Sequence, residues 1–259
     1  MKLFSLILSL APMALAQLPA GNAAGVAMGH LHLNVKDVDE SKKFWVDQLG
    51  GMPVKMGPME VLKFPGALVI LKKAEPTGGT EGSTVNHIGF LVRDLDKDLA
   101  RWKANSVKVV MENLPNRQVF LMSPDGVKIE IYEDKSIAGP IVNHHIHFWT
   151  SSVEDTKAWY VKTFSAKPGM RGKFEAADVP GVNLSFTKAE TPVVGTKGRA
   201  LDHIGFEVKD LEAFCKKLEA SGVKFDVTYR KVPALGIAVA FFTDPWGTYI
   251  ELTEGLSRL

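Results

Sequence analysis

The residues best suited to metal chemistry are concentrated in a few short segments of this sequence. The chain of 259 residues contains seven histidines, and all of them fall in four short segments rich in apolar residues. The histidines are His30, His32, His87, His144, His145, His147 and His203. Two glutamates, Glu130 and Glu251, lie in further apolar segments, each just after a Pro-containing turn. Because imidazoles and carboxylates bind divalent ions, this distribution predicts metal sites.

The histidine segments are also the starts of an internal repeat. Residues 30–37 resemble residues 87–94 and 203–210, and a fourth copy begins at His145. Each copy reads as a buried strand, a helix and then further strands, which defines four related modules. Asp94 and Asp210 are predicted to cap the helices that follow them. The segments 123–126 and 244–247 are predicted β-turns that lead into the strands of the two glutamates.

Strand geometry indicates which of these side chains share a face. Side chains alternate across a strand, so His30 and His32 share a face, and His145 and His147 do the same. If the two modules of one half form one curved sheet, their first histidines converge with the glutamate of the last strand. The predicted metal ligands are therefore His30, His87 and Glu130 in one half, and His145, His203 and Glu251 in the other. Two imidazoles and one carboxylate leave positions on the ion for a substrate, toward which the ion acts as a Lewis acid.

The modules resemble the βαβββ units of the vicinal oxygen chelate superfamily, which includes glyoxalase I, extradiol dioxygenases and bleomycin-resistance proteins. The resemblance implies an α+β fold in which four modules form two domains, each a curved mixed sheet that encloses a metal cavity. The predicted domains are residues 25–136, with modules 25–74 and 85–136, and residues 141–255, with modules 141–190 and 200–255. The four-module arrangement is that of the extradiol dioxygenases, whose ligands correspond to His145, His203 and Glu251. On that likeness the C-terminal half is the active one.

The sequence departs from the relatives at several places. Extradiol enzymes carry a catalytic tyrosine ten places before the ligand glutamate, and Phe241 and Phe120 stand there in this chain. Phenylalanine cannot donate a hydrogen bond or a proton. Glyoxalase I uses a fourth ligand from the last strand of the leading module. The places that match it most nearly are assigned to Leu71 and Phe186, which are not metal ligands.

Other residues near the predicted ligands have several interpretations. His147 and Tyr249 are predicted catalytic residues, His147 as a base and Tyr249 as a donor to a substrate oxygen. His32 and His147 are alternatively orienting residues, or ligands in place of His30 and His145 if the strand register differs by two. Glu207 is an alternative proton carrier. His144 is expected to point away from the site.

The N-terminus has the features of a secretory signal. Lys2 precedes an apolar run over residues 3–15, and Ala14-Leu15-Ala16 has the small-residue pattern of a cleavage site. We therefore predict a signal peptide over residues 1–16, cleaved after Ala16, and a secreted or periplasmic protein. The single cysteine, Cys215, excludes a disulfide within the chain. A formal net charge of +2 gives no indication of nucleic acid or an anionic membrane as a partner.

Three functions remain open from the sequence. A ring-cleaving dioxygenase that uses Fe²⁺ or Mn²⁺ is the first expectation. A glyoxalase-like lyase or isomerase, with Zn²⁺ or Ni²⁺ as other possible ions, is the second. A non-catalytic protein that binds a metal or a small ligand is the third. In each case the expected partner is a small oxygenated molecule, with one divalent ion per site, no nucleic acid, no membrane after signal cleavage, and a monomer or a homodimer.

Overall fold

The computed structural model describes residues 18–259 of the chain. The predicted signal peptide, residues 1–16, lies outside the described residues. None of the helices within residues 18–259 combines the length and the apolar character needed to cross a membrane.

Each module contains one α-helix and four strands. Module 1 contains β1 (Val26–Val35), α1 (Val38–Lys43), β2 (Met52–Met56), β3 (Met59–Phe64) and β4 (Ala67–Lys73). Module 2 contains β5 (Val85–Val92), α2 (Leu95–Ala104), β6 (Lys108–Asn113), β7 (Gln118–Met122) and β8 (Lys128–Glu133). Module 3 contains β9 (Ile141–Thr150), α3 (Val153–Phe164), β10 (Lys167–Arg171), β11 (Phe174–Val179) and β12 (Val182–Lys188). Module 4 contains β13 (Leu201–Val208), α4 (Leu211–Ala220), β14 (Phe225–Val232), β15 (Ile237–Thr243) and β16 (Tyr249–Glu254).

The local signals read from the sequence are present in the structure. The carboxylates of Asp94 and Asp210 accept hydrogen bonds from the backbone N–H groups of Lys97 and Ala213, which confirms the two predicted helix caps. In the predicted turns, the N–H of Gly126 donates to the carbonyl of Ser123, and the second turn closes in the same way. These turns connect β7 to β8 and β15 to β16, as predicted.

The modules form two eight-stranded sheets. One sheet has the order β14-β15-β16-β13-β1-β4-β3-β2 and combines modules 1 and 4, and we call it the 1/4 sheet. The other has the order β10-β11-β12-β9-β5-β8-β7-β6 and combines modules 2 and 3, and we call it the 2/3 sheet. At the centre of each sheet the first strands of the two modules pair antiparallel, β1 with β13 and β5 with β9. Both sheets are curved and open.

The sequence prediction that the two modules of one half share a sheet is wrong. The first strands of all four modules have similar apolar patterns, so the sequence does not distinguish one pairing partner from another. The linker between modules 1 and 2 and the linker between modules 3 and 4 instead cross from one sheet to the other, side by side. The N–H of Thr77 donates to the carbonyl of Gly198, and Ser83 forms a β-bridge with Val194. The ranges 25–136 and 141–255 stay a prediction of domain boundaries.

Alternation along the first strands separates a core face from a site face. In β1, Leu31, Leu33 and Val35 belong to one large apolar cluster that contains residues of both sheets and all four modules. Large aromatic side chains connect the sheets through this cluster, since Trp45 contacts Phe90 and Phe164 contacts Phe206. The histidines occupy the alternate positions and therefore face away from the shared core.

Candidate metal centres

The histidines and glutamates form two separate clusters, one on each sheet. The first cluster contains His30, His32, His203 and Glu251, and the second contains His87, Glu130, His145 and His147. Within each cluster every residue offers one ligand atom, and these atoms all lie within 4.8 Å of one another. All eight residues are buried except His32, which is partly buried.

The pairing of three strands brings the first cluster together. His32 on β1 lies opposite His203 on β13, and His30 lies opposite Gly205. The parallel strand β16 places Glu251 beside Gly205. The carboxylate oxygen Oε2 of Glu251 is 3.0 Å from Nε2 of His30 and 2.8 Å from Nε2 of His203. Two imidazole nitrogens and one carboxylate oxygen therefore face a common point.

Gly205 makes room for His30 in the first cluster, and Gly89 makes room for His145 in the second. A Cβ atom at position 205 would lie 2.1 Å from Cε1 of His30, and one at position 89 would lie 1.9 Å from Cε1 of His145. Any side chain larger than a hydrogen would displace the imidazole. This explains why β13 and β5 read His-Ile-Gly-Phe where β1 and β9 carry a second histidine in place of the glycine.

A β-bulge precedes His30 in β1 and His145 in β9. The register between β1 and β13 shifts between Met28 and His30, and that between β5 and β9 shifts at Asn143 and His145. Bulges redirect the side chains that follow them, which suits a residue aimed at a site. His144 is the extra residue of the second bulge. Its Nδ1 lies 3.0 Å from Nδ1 of His145, so the bulge brings its ring against that of His145, but His144 is not one of the four residues of the second cluster.

The first cluster has a carboxylate behind one of its rings. Oδ1 of Asp202 is 2.6 Å from Nδ1 of His203, and Oδ2 of Asp202 accepts hydrogen bonds from Asn34 and from the N–H of Gly198. Burial disfavours a charge on the His203 ring, but hydrogen bonds from the ring to Asp202 and Glu251 outweigh it and raise the pKa of His203. Negative charge on both sides of one imidazole attracts a cation to this point, either a proton or a metal ion.

His32 and Glu251 are in the protonation states that metal binding needs. Burial, with the neighbouring rings of His203 and His30, lowers the pKa of His32 to about 3, so its imidazole is neutral at pH 7. Burial opposes ionisation of Glu251, yet His30 and His203 hold its pKa well below the usual range. Among the described residues, Nδ1 of His32 is buried and has no hydrogen-bond partner. Three imidazoles, one ionised carboxylate and an unpartnered buried nitrogen fit a divalent ion.

The second cluster has the same ligand types but a different neighbour. Oε2 of Glu130 is 2.8 Å from Nε2 of His145 and 3.2 Å from Nε2 of His87. Nδ1 of His87 is 2.8 Å from Oδ1 of Asn86, a neutral group where the first cluster has Asp202. Glu130 also accepts a hydrogen bond from the side chain of Gln118.

The guanidinium of Arg171 reaches into the second cluster. Its Nη2 lies 3.5 Å from Oε2 of Glu130 and 3.2 Å from Nδ1 of His147. Because arginine only donates, Nδ1 of His147 is the acceptor. The other ring nitrogen, Nε2, must then carry the proton and donate to Oγ1 of Thr187 at 2.7 Å. The second cluster therefore fits a metal ion less well than the first, since both ring nitrogens of His147 are engaged and a guanidinium lies beside the carboxylate.

The structure changes the grouping of the predicted ligands. His30 lies with His203 and Glu251, and His87 and Glu130 lie with His145, because each sheet combines one module from each half. The predicted sets His30, His87, Glu130 and His145, His203, Glu251 are therefore wrong as sets. The individual assignment of these six residues as metal ligands stays a prediction.

The positions expected for a fourth ligand were misplaced by one residue. Ile70 on β4 pairs with His32, and Ser185 on β12 pairs with His147. These two places correspond to that of Glu251, which pairs with Gly205. Leu71 and Phe186, chosen from the sequence, instead belong to the shared apolar core. The register of the last strand relative to the first is a property of sheet pairing, which the sequence pattern did not reveal. In the first cluster His32 supplies the fourth donor that Ile70 cannot.

The remaining predicted residues have different surroundings. Tyr249 lines the cavity of the first cluster, and Nζ of Lys197 lies 4.2 Å from the centre of its ring. The arrangement around His147 leaves no free lone pair for its predicted role as a base. Glu207 accepts hydrogen bonds from Thr253 and from the N–H groups of Gly255 and Ser257, so it holds the C-terminal turn. Cys215 is a buried residue of the core, as its helical pattern indicated.

The two cavities above the clusters differ in character. The cavity of the first cluster has a volume of about 430 Å³ and a largely apolar wall. Its apolar lining residues are Met56, Met59, Ile70, Val232, Leu235, Ile237, Val239, Phe241 and Leu256. Lys72, Lys197 and Arg230 place positive charge at the same cavity. The cavity of the second cluster, about 720 Å³, has more polar residues, among them Asn116, Gln118 and Tyr132.

Sequence reasoning missed two residues of these sites. Asp202 immediately precedes His203, and a carboxylate next to a predicted ligand was an available signal. Arg171 lies at the end of a β-hairpin strand of module 3, at the position that Met56 occupies in module 1. No motif marks Arg171 in the sequence, and only the pairing of the strands brings it near Glu130.

Four βαβββ modules in two curved sheets, with histidine and carboxylate clusters at the paired first strands, define a protein of the vicinal oxygen chelate class. The chain belongs to the Glyoxalase/Bleomycin resistance protein/Dioxygenase superfamily, whose sequence profile matches residues 27–131 and 142–252.

Solved structures with this fold are similar over nearly the whole chain. Glyoxalase I from Zea mays superposes with a TM-score of 0.71 at 17% identity and covers 90% of this chain and 94% of its own. A candidate dioxygenase from Bacillus subtilis has a TM-score of 0.71 at 15% identity and covers 92% of this chain and 86% of its own. A search of curated protein sequences gave no match. At these identities the likeness shows the fold, and the reaction has to be argued from the site.

Proposed function

We propose that the chain is a metal-dependent isomerase or lyase that binds a divalent ion at the first cluster. Its substrate is a small molecule that chelates the ion through two adjacent oxygens. The observation that carries this proposal is the presence of four donor groups, His30, His32, His203 and Glu251, within ligand range of one another.

The number of donors separates this proposal from an oxygenase. Four protein donors on a six-coordinate ion leave two positions, and a chelating substrate fills both. Activation of dioxygen beside the substrate needs a third open position, which a set of two histidines and one carboxylate provides. A bound ion would act as a Lewis acid and stabilise charge that develops on the substrate oxygens.

The walls of the cavity indicate the kind of substrate. The apolar residues on one side favour a hydrophobic part of the molecule, and the exposed Lys72 and Arg230 favour an anionic group. Burial raises the pKa of Tyr249, so its hydroxyl stays protonated at neutral pH and can donate a hydrogen bond. The predicted role of Tyr249 as a donor to a substrate oxygen is retained in this proposal.

A ring-cleaving dioxygenase is the second candidate, and the position of His32 supports it. Glu251 contacts His30 and His203 directly, whereas His32 stacks on His203 with 4.3 Å between the ring centres. If His32 stays off the ion, the remaining three donors leave room for dioxygen. Phe241, at the place of the catalytic tyrosine of extradiol enzymes, counts against this candidate.

Two assays on metal-loaded protein distinguish these candidates. Stripped protein is reloaded separately with Mn²⁺, Fe²⁺, Zn²⁺ or Ni²⁺, with Fe²⁺ added anaerobically. One assay measures oxygen consumption with a panel of catechols, and the other measures deuterium uptake from D₂O by hydroxyketones and 2-oxoaldehyde adducts without oxygen. We expect deuterium uptake without oxygen consumption in the unchanged protein, and no deuterium uptake in Glu251→Gln. Oxygen consumption that depends on Glu251 would establish the dioxygenase instead, and binding without any product would establish a non-catalytic protein.

Export is a further part of the proposal. Cleavage after Ala16 would release a secreted or periplasmic protein that acquires its ion outside the cytoplasm. Determination of the N-terminal residue of the mature protein tests this, with Gln17 as the expected first residue.

A further inference from the structure

The two clusters have the same ligand types but differ at one neighbouring position. Arg171 ends β10, pairs with Phe174 across the hairpin and contacts the second cluster. In module 1 the corresponding hairpin pairs Met56 with Met59, and both side chains line the cavity of the first cluster. The same place in the fold therefore carries a cation at one cluster and a thioether at the other.

Arg171 is held at the second cluster by a hydrogen bond to a buried serine. Its Nε donates to Oγ of Ser185 at 2.7 Å, and Ser185 is completely buried opposite His147. In module 1 the residue opposite His32 is Ile70, which offers no such partner. The serine and the arginine thus act together, because the hydroxyl fixes the guanidinium over Glu130.

We infer that Arg171 takes the place of a metal ion at the second cluster, so that the chain binds one divalent ion, at the first cluster only. The guanidinium supplies the positive charge that neutralises the buried Glu130 carboxylate. Its Nη2 also donates a hydrogen bond to Nδ1 of His147. The residue that corresponds to His32 therefore has no free nitrogen to bind an ion. An ion at the ligand point would be repelled by a guanidinium nitrogen 3.5 Å from the carboxylate oxygen it has to share.

This inference rests on the proposed metal binding of the first cluster, and it adds which residue decides between the clusters. The two related sheets would then differ, because the 1/4 sheet would contain a metal centre and the 2/3 sheet would contain a polar cavity without a metal ion.

Counting metal ions per chain tests the inference. Stripped protein is equilibrated with Mn²⁺ or Zn²⁺ by dialysis, and bound metal is measured by elemental analysis, with circular dichroism to confirm folding. We expect one ion per chain in the unchanged protein, none in His203→Ala and one in His87→Ala. Two ions in the unchanged protein, falling to one in His87→Ala, would overturn the inference and leave the proposed function standing. No bound ion in the unchanged protein would overturn both.

A gain of metal binding gives a second and sharper test. We expect Arg171→Met, which copies the residue of module 1, to raise the count from one ion to two. The matched control is Lys173→Met, which removes a positive charge two residues away and should leave the count at one. The reciprocal Met56→Arg should reduce the count to zero. A count that stays at one in folded Arg171→Met would show that Arg171 does not exclude the second ion.

Discussion

Asp202 contacts the ring nitrogen of His203 that faces away from Glu251, and it adds negative charge to the first cluster. Its carboxylate lies 2.6 Å from Nδ1 of His203, which directs Nε2 toward Glu251 and the proposed ion. Carboxylates in this position orient a ligand histidine and raise its basicity. Asn86 has the corresponding position behind His87 in the second cluster.

We expect Asp202→Asn to lower metal affinity roughly 10–100-fold, the usual effect of removing such a partner. A competition titration with a chromogenic chelator measures the change. Asn86→Ala is the matched control, because it alters the same contact at the cluster that we expect to be metal-free. An affinity that is unchanged in Asp202→Asn, or lowered equally in both variants, would contradict the assigned role.

Gly205 is a second residue that we expect to control metal binding. In Gly205→Ala the new methyl group would overlap the imidazole of His30, so the ring must leave its place and the ion is lost. Gly89→Ala creates the same overlap with His145 and should keep the ion. Both variants should lose about 1–3 kcal/mol of unfolding free energy, as overpacked sites do. Metal analysis and urea unfolding measure the two effects, and retention of the ion in Gly205→Ala would refute the argument.

At the scale of residues, the sequence identified the ligand types and grouped His87 with Glu130 and His203 with Glu251, but it did not identify the partners of His30 and His145. The seven histidines and the two glutamates drew attention because their spacing repeats with the modules. The partners of His30 and His145 depend on the pairing of strands from different modules, and His30 and Glu251 are 221 positions apart. Arg171 was missed for the same reason, because its contact with Glu130 exists only in the folded sheet.

Among the elements, the last strand of modules 2 and 4 ends in a glutamate that accepts a hydrogen bond from the start of the helix of the same module. The carboxylate of Glu133, at the end of β8, accepts a hydrogen bond from the N–H of Leu95 at the start of α2. Glu254, at the end of β16, does the same for Leu211 at the start of α4. Arg117 donates two hydrogen bonds to Glu133, at 3.0 and 2.7 Å. An acidic group at a helix N-terminus is favourable because unpaired N–H groups point toward it.

This contact predicts a pH dependence of stability. The hydrogen bonds from Arg117 and from Leu95 lower the pKa of Glu133 from 4.5 to about 2. A lowered carboxyl pKa adds stability above the unfolded value of 4.5, and that stability is lost as the pH falls toward 2. Glu133→Gln should therefore be less stable than the unchanged protein at pH 7, and the difference should shrink between pH 5 and 2. Denaturant unfolding across this range measures it, and a difference independent of pH would contradict the assignment.

The elements themselves were largely predictable. Asp94, Asp210 and the two Pro-containing turns were recognised because capping and turn formation depend on residues close in sequence. The register that puts Ile70 rather than Leu71 opposite His32 was not. That register arises from the pairing of β1 with β4, and a single-residue shift moves a side chain from the site face to the core.

For the whole molecule, the exchange of modules makes the proposed ion a connection between the two halves of the chain. His30 and His32 come from the first half, and His203 and Glu251 come from the second. An ion that binds only the folded protein stabilises it by about 2.7 kcal/mol when the free ion is at 100 times its dissociation constant. The stabilisation should therefore depend on residues of both halves equally.

We expect metal removal by a chelator to lower the melting temperature of the unchanged protein. The same chelator should have no effect on His30→Ala or on His203→Ala, although these residues lie in different halves. Differential scanning calorimetry with and without the ion measures this. A chelator effect that survives in His30→Ala would show that the ion is held without His30.

The nesting of the modules also affects the order in which the molecule can assemble during synthesis. The 2/3 sheet is continuous in sequence, from Val85 to Lys188, so a growing chain can complete it while the C-terminal module is still being made. Module 1 is synthesised first and can pair β1 with β4, but it must wait for β13 to cover the other edge of β1 and for β16 to bring Glu251. A nascent chain that stops before β16 would therefore bring three histidines together without their carboxylate, and competence to capture the ion would come only when β16 is translated.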